Sequence, residues 1–142
     1  MARKKEGAKA GARRGYRIFV SHATADKWIA RVLCEKLEGV GAETFRDDRD
    51  IAGGDNIPER LRDEILSADE VLVLLTPNSI TRPWVLLEIG CAWGHNRRII
   101  PIRYNVEVEA IPALLQPTKV IDLNAVNDYL NEVAARVRGK RR

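Results

Sequence analysis

Two hydrophobic patterns alternate along the chain. Short apolar runs rich in β-branched and aromatic residues predict strands, and apolar residues spaced three or four positions apart predict helices. The predicted strands are 16–21, 43–46, 71–75, 99–104 and 119–122. The predicted helices carry their apolar faces within 28–37, 57–65, 84–93 and 125–137. Strands that alternate with helices indicate right-handed crossovers and a parallel sheet.

Five such strands predict an α/β fold of the flavodoxin-like, doubly wound type, with a five-stranded parallel sheet in the order 2-1-3-4-5. The last crossover, 105–117, is proline-rich and has room for one or two helical turns only. In such sheets ligands bind beyond the carboxyl ends of the strands, at the switch point between strands one and three. Candidate functional residues are therefore expected at Ser21, His22, 47–56 and 76–88.

The charge of the chain is divided unevenly. The chain has 142 residues, within the range of one domain, and a formal net charge of +4. Residues 1–15 hold six Lys or Arg against one Glu, and residues 136–142 hold five basic residues and no acidic one. We predict a folded domain over 16–138, flanked by flexible basic tails at 1–15 and 139–142. No nucleic-acid partner is expected except through these tails.

What the sequence lacks excludes several classes of protein. No apolar run reaches the roughly 18 residues that span a bilayer, and no signal-peptide core is visible, so we expect a cytoplasmic protein without a membrane partner. Cys34 and Cys91 are predicted to be reduced thiols, and no glycine-rich phosphate-binding loop occurs. Asp47, Asp48 and Asp50 can gather a cation, but a solvated turn is the favoured interpretation, and no metal site is predicted.

The first predicted strand ends in Ser21 and His22, a nucleophile and a base by residue type. Adjacent side chains on an extended chain point to opposite sides, which argues against a catalytic pair. The favoured interpretation is that Ser21 or Thr24 caps the backbone N–H groups of the next helix.

Glu88 stands out because it is the one charged residue in the apolar helical run 84–93. Burial of an unpaired carboxylate is costly, so this side chain must be paired or must face a cleft. One interpretation is an ion pair at the helix rim with Arg82, Arg97 or Arg98. The other is a carboxylate in an active site. The helix alone leaves both open.

Three segments, in this order, resemble the Toll/interleukin-1 receptor (TIR) domain of the prokaryotic kind. The first is 18–27 (IFVSHATADK), and the second is 50–57 (DIAGGDNI), which is similar to the BB loop of that family. In the third, Ser79, Trp84 and Glu88 match the pattern Ser-x-x-x-x-Trp-x-x-x-Glu, with Val85 where Cys often stands. The resemblance covers about 16–138.

The resemblance implies an activity as well as a fold. Many TIR domains cleave NAD+ at the nicotinamide–ribose bond, and their essential Glu matches Glu88. NAD+ is then the substrate, and no separate cofactor is expected. The strand residues would form the floor of the site, Trp84 would pack on the ribose or the nicotinamide ring, and Asp48 would cover the site or belong to a neighbouring subunit. The expected substrate-binding residues are Phe19, Val20, Ser21, Asp48 and Trp84.

The same resemblance places the BB-like loop at a contact between subunits, so self-association is expected through Gly53, Gly54, Asp55 and Ile57. The first hypothesis is an NAD+ nucleosidase of bacterial antiphage defence that works with a separate sensor or effector protein. Its product is ADP-ribose or a cyclic ADP-ribose, and the sequence leaves this open. The alternatives are a non-catalytic TIR–TIR scaffold and an enzyme like the nucleoside deoxyribosyltransferases, which also rely on a Glu.

Overall fold

The computed structural model describes residues 15–46 and 59–141, and its strands form one five-stranded sheet. Every pair of neighbouring strands is parallel, and the order is β2-β1-β3-β4-β5. This confirms the predicted doubly wound topology. The strands are β1 (Arg17–Ser21), β2 (Glu43–Arg46), β3 (Glu70–Leu75), β4 (Arg98–Arg103) and β5 (Ile121–Asp122).

Helices cover both faces of this sheet. Within the described segments they are α1 (Lys27–Gly39), α2 (Glu59–Ser67), α3 (Pro83–Gly94) and α4 (Val126–Arg141). Short 3-10 turns lie at Thr24–Asp26, Val108–Ala110, Ala113–Leu115 and Leu123–Ala125. The last crossover therefore contains two single turns and no longer helix, as its prolines predict.

Alternation along the strands builds two cores. Ile18 and Val20 of β1 pack with α1 and α4 on one face, whereas Phe19 packs with α2 and α3 on the other. All six residues of β3 are buried, as expected of a central strand between two helical layers. Consecutive residues of β1 thus support opposite layers, and the strand ends, rather than the strand faces, remain for a site.

β5 and the last helix depart from their predicted bounds by two residues or more. β5 begins at Ile121 instead of residue 119 and ends where the Asp122 carboxylate accepts a hydrogen bond from the Asn124 backbone N–H (2.8 Å), which turns the chain into a 3-10 turn. The last helix runs to Arg141, four residues beyond its predicted end, so most of the predicted tail at 139–142 is helical. Lys140 stabilises this extension by pairing with Asp69 (2.8 Å).

A buried ionic cluster joins α4 to the amino end of β3. Glu70 is 0% exposed and accepts hydrogen bonds from the hydroxyls of Tyr16 (2.6 Å) and Tyr129 and from Arg136 Nε (3.0 Å). Burial raises the pKa of both tyrosines above their usual range, and the neighbouring Glu70 carboxylate raises each pKa further. The cluster therefore favours neutral tyrosines around one paired carboxylate.

None of the helices in the described residues is both long enough and apolar enough to span a bilayer.

Candidate functional site

Glu88 and Ser21 meet beyond the carboxyl end of β1. Glu88 lies on α3 and is 1% exposed, and its Oε1 accepts a hydrogen bond of 2.5 Å from the Ser21 hydroxyl. Ser21 is the last residue of β1 and is also 1% exposed. The bond joins residues 67 positions apart in the sequence. It lies at the switch point between β1 and β3, where the topology predicts a ligand site.

The sequence of α3 explains why a carboxylate lies here. Pro83 occupies the first helical position, which its fixed φ suits, so the helix begins immediately after the loop that follows β3. The remaining side chains of α3 are apolar except for Glu88. The buried positions repeat at helical spacing, so Glu88 belongs to the face that packs on the sheet. These positions are Trp84, Val85, Glu88, Ile89 and Ala92.

The three arginines near Glu88 in sequence do not pair with it in the described part of the chain. Arg82 Nε donates to the Asn78 carbonyl (3.1 Å), and Arg97 donates to the carbonyls of His95 (3.3 Å) and Ala68 (3.2 Å). Arg98 opens β4 on the exposed surface. The interpretation of Glu88 as the partner of these rim arginines is therefore wrong.

The negative charge of Glu88 acts on the next turn of α3. Burial raises the pKa of the Cys91 thiol, the Arg62 guanidinium opposes this rise, and the Glu88 carboxylate adds to it. Both cysteines are free thiols, as predicted. A carboxylate held in a buried position is the kind of group that can stabilise a nearby positive charge.

A second polar cluster lies at the same edge and joins the turn after β1 to the loop after β3. Asp26 is 5% exposed, and its carboxylate accepts hydrogen bonds from Thr76 Oγ1 (2.5 Å) and Asn78 Nδ2 (2.9 Å). Ser79 Oγ accepts from the Thr76 backbone N–H (2.9 Å) and donates to the Leu74 carbonyl (2.7 Å). The loop that leads into α3 is thus fixed both to its own strand and to the neighbouring turn.

The expected floor and stacking residues are packed in the interior. Phe19 and Val20 are 0% exposed, and the Phe19 ring meets the Phe45 ring edge-on at 5.4 Å. Trp84 is 4% exposed and belongs to the same core as Phe19. Of the expected substrate-binding residues that the structure describes, Ser21 donates a side-chain hydrogen bond to Glu88. Direct contacts of Phe19, Val20 and Trp84 with a substrate stay predictions.

Several expected residues lie outside the described segments. They belong to 47–58 and are Asp48, Gly53, Gly54, Asp55 and Ile57. The question of a cation at Asp47, Asp48 and Asp50 lies there too. Among the residues that are described, no three His, Cys, Asp or Glu side chains group as metal ligands.

Ser21 does not cap a helix, contrary to the favoured interpretation. The turn after β1 and α1 both begin without a side-chain capping bond, and the Ser21 hydroxyl is turned towards Glu88 instead. His22 Nδ1 lies 2.7 Å from the Ala23 carbonyl. Sequence reasoning also gave no role to Asp26 and Asn78. The signal for them is that the topology brings both of their loops to one edge of the sheet.

A family model described as "TIR domain" matches residues 18–136, a range that includes Ser21 and Glu88. The chain belongs to the TIR domain family. This agrees with the three segments from which the resemblance was drawn, and with the sheet order of the structure.

Relatives of this TIR domain come from plants and bacteria. It is 27% identical over 117 residues to the "Probable 2' cyclic ADP-D-ribose synthase BdTIR" of Brachypodium distachyon. The matched region covers 81% of this chain and 51% of that protein. It is 24% identical over 102 residues to the "NAD(+) hydrolase TcpC" of Escherichia coli, which covers 68% and 33%. The chain thus spans about half or less of the length of these relatives.

Among solved structures, the TIR domain of the Toll-related receptor TRR-2 from Hydra magnipapillata matches with a TM-score of 0.65. The identity is 23%, and the match covers 88% of this chain and 98% of that chain. This likeness shows the fold.

Proposed function

We propose that this TIR domain is an NAD+ nucleosidase that cleaves the nicotinamide–ribose bond and releases nicotinamide with ADP-ribose or a cyclic ADP-ribose. The observation that carries the proposal is the buried Glu88 carboxylate, oriented by the Ser21 hydroxyl at 2.5 Å beyond the end of β1. The names of the two relatives support it, since one is called a cyclic ADP-ribose synthase and the other an NAD+ hydrolase.

One carboxylate suffices for the first chemical step. When the bond between ribose C1′ and the nicotinamide ring nitrogen breaks, its electron pair moves to the ring, and the cationic pyridinium leaves as neutral nicotinamide. No general acid is therefore required. Positive charge develops on C1′ and the ribose ring oxygen, as in glycoside hydrolysis. We assign Glu88 to stabilise this charge, an effect that is strongest where water is excluded.

The second step decides the product. If water attacks C1′ and loses a proton to solvent, the product is ADP-ribose. If another group of the same nucleotide attacks C1′, with any displaced proton passing to solvent, the product is a cyclic ADP-ribose. The described residues favour neither route.

Substrate must reach a carboxylate that is 1% exposed, so segments at this edge have to separate during turnover. In our proposal, self-association through the BB-like loop favours the open arrangement. In bacterial antiphage defence, either a separate sensor protein provides the trigger or the product signals to a separate effector protein. Support for this context comes from the family resemblance alone.

Gly54 tests the role of assembly. We expect Gly54→Leu to lower self-association and nicotinamide release together, by about tenfold or more, because glycine permits backbone shapes that a branched residue restricts. The control is Gly139→Leu, at a position on α4 where an added Cβ meets nothing within 4 Å. Sedimentation and nicotinamide release are measured on the same samples. Loss of association with intact activity would show that the two are not coupled.

The activity itself is tested with purified protein incubated with NAD+ and, separately, with free nucleosides, at dilute and concentrated protein. We expect nicotinamide release from NAD+, rising more than linearly with protein concentration, and mass spectrometry identifies the second product. Release of free base from nucleosides but not from NAD+ would favour the deoxyribosyltransferase-like alternative. Self-association without any cleavage would favour the scaffold.

A further inference from the structure

Contacts at two points join the segment 21–26 to the loop 76–82 and the helix α3 that follows it. Ser21 at the end of β1 bonds to Glu88, and five residues later Asp26 bonds to the loop that leads into α3. The second junction lies before the start of α3, and the first lies on its second turn. The position of the helix relative to β1 is therefore fixed at its start by Asp26.

The Asp26 carboxylate is directed entirely to this loop. Asp26 occupies the N-cap position of α1, where an aspartate ordinarily accepts a hydrogen bond from its own helix, yet it makes no such bond. One carboxylate oxygen accepts from Thr76 Oγ1 and the other from Asn78 Nδ2, and the side chain is 5% exposed. Hydrogen bonds to a charged acceptor are stronger than those between neutral groups.

The loop transmits this constraint to Glu88. Asn78 donates its backbone N–H to Thr76 Oγ1 (3.0 Å), and its carbonyl accepts from Arg82 Nε (3.1 Å). Arg82 is the N-cap of α3, so hydrogen bonds continue from Asp26 to the residue that precedes the helix. Because backbone hydrogen bonds hold the turns of a helix together, a shift of the start of α3 moves Glu88 by a similar distance.

We infer that Asp26 is a positioning residue that sets the placement of Glu88 against Ser21. The expected effect on kcat rests on the proposed function, whereas the positioning of Glu88 by Asp26 does not. Misplacement of a reacting group by about 1 Å can lower turnover by about 100-fold. Asp26 itself touches no substrate in this account, and its effect passes through the loop 76–82.

The first test exchanges the two side chains. Asp26→Ala should lower kcat for nicotinamide release by about 10- to 100-fold and change KM by less than about threefold. Asp26→Asn combined with Asn78→Asp preserves the charge and reverses the direction of one bond, while Thr76 keeps an acceptor. This double variant should recover kcat to within about threefold of wild type. No recovery, or a change confined to KM, would overturn the inference.

The second test needs no substrate. In urea unfolding, Ser21→Ala should destabilise the Asp26→Ala background by half or less of what it costs in wild type, because the Ser21–Glu88 bond is already misplaced. Additive losses would overturn the inference even if the enzyme were active. Non-additive losses of unfolding free energy in a protein that does not cleave NAD+ would support the inference about Asp26 and contradict the proposed function.

Two further variants complete the design. Asp69→Ala is the matched control, since Asp69 also joins distant segments, through the Arg17 backbone N–H (2.8 Å) and Lys140, but at the amino edge of the sheet. It should lower stability without altering kcat and without coupling to Ser21→Ala. If Asp26→Ala does not fold, Asn78→Ala removes one of the two bonds and should give a smaller, coupled effect of the same sign. Additivity for this milder variant would equally overturn the inference.

Discussion

Two glutamates are buried at opposite edges of the same sheet, and their surroundings differ. Glu70, at the amino end of β3, is held by two tyrosine hydroxyls and by Arg136, whose Nε lies 3.0 Å from Oε1. Glu88, beyond the carboxyl end of β1, accepts a hydrogen bond of 2.5 Å from the Ser21 hydroxyl. The two carboxylates are 0% and 1% exposed, so depth does not distinguish them.

The difference lies in what their partners do. Arg136 compensates the charge of Glu70, and the tyrosines complete its hydrogen bonds, so the cluster fastens α4 to β3. The Ser21 hydroxyl donates a hydrogen bond to Glu88 Oε1 and orients that carboxylate. Glu88 also lies at the switch point of the sheet, where ligands bind in doubly wound folds. Burial of a carboxylate is therefore no sign of function until its partners and its place in the topology are known.

The largest effect on stability is expected from breaking the Glu70 cluster. Glu70→Gln removes the buried counter-charge of Arg136, leaves it the half-exposed Glu132 carboxylate at 3.9 Å, and turns an amide towards a tyrosine donor. We expect a loss of about 3 kcal/mol in the free energy of unfolding, with nicotinamide release per folded molecule unchanged. Urea unfolding and a turnover assay on the same sample check this. A stable variant with reduced turnover would contradict the claim that Glu70 has a structural role and Glu88 a catalytic one.

Ser21→Ala sharpens the other side of the comparison. Without the hydroxyl, Glu88 Oε1 loses the hydrogen bond that orients it towards Ser21, and we expect kcat to fall by about tenfold, equivalent to about 1.4 kcal/mol. Ser67→Ala is the control, because the Ser67 hydroxyl donates to the Glu64 carbonyl (3.0 Å) at the end of α2, away from the site. Equal effects of the two variants would exclude a role specific to Ser21.

A third effect is the pH dependence that the two tyrosines give to the Glu70 edge. The folded protein raises the pKa of Tyr16 and Tyr129 above the unfolded value of about 10, so the unfolded chain releases these protons first. Their contribution to stability is therefore complete below about pH 10 and is lost as the pH rises beyond it, by up to about 1.4 kcal/mol per pH unit for each tyrosine.

Urea unfolding between pH 8 and pH 11 measures this slope. Tyr129→Phe should flatten it, and Tyr104→Phe, on an exposed ring after β4, should not. An unchanged slope in the first variant would contradict the account of the cluster.

The fold followed from the sequence because its signals are local. Periods of two and of three to four residues separate strands from helices, and the uninterrupted apolar run 71–75 marks a central strand covered on both faces. The end of α4 could not be predicted in this way, since it depends on the contact of Lys140 with Asp69, 71 positions away. A predicted helix end reflects local propensity, whereas this one is set by tertiary pairing.

The site was half predictable for the same reason. Glu88 stands out as a single carboxylate in an apolar helix, and the topology places Ser21 at the same edge. That the Ser21 hydroxyl bonds to Glu88 instead of capping a helix depends on a side-chain rotamer and on a partner 67 positions away. The role of Asp26 was hidden because its place before α1 suggests an ordinary N-cap.

The central claim is that Glu88 acts by its charge at the reacting ribose, and one measurement on matched variants tests it most directly. Nicotinamide release and melting temperature are determined for Glu88→Gln and Glu70→Gln. We predict that Glu88→Gln lowers turnover at least about 100-fold, with NAD+ binding little changed and an equal or higher melting temperature. Glu70→Gln should lower the melting temperature and leave turnover per folded molecule unchanged. A destabilised Glu88→Gln protein with near-normal turnover per folded molecule would contradict the claim.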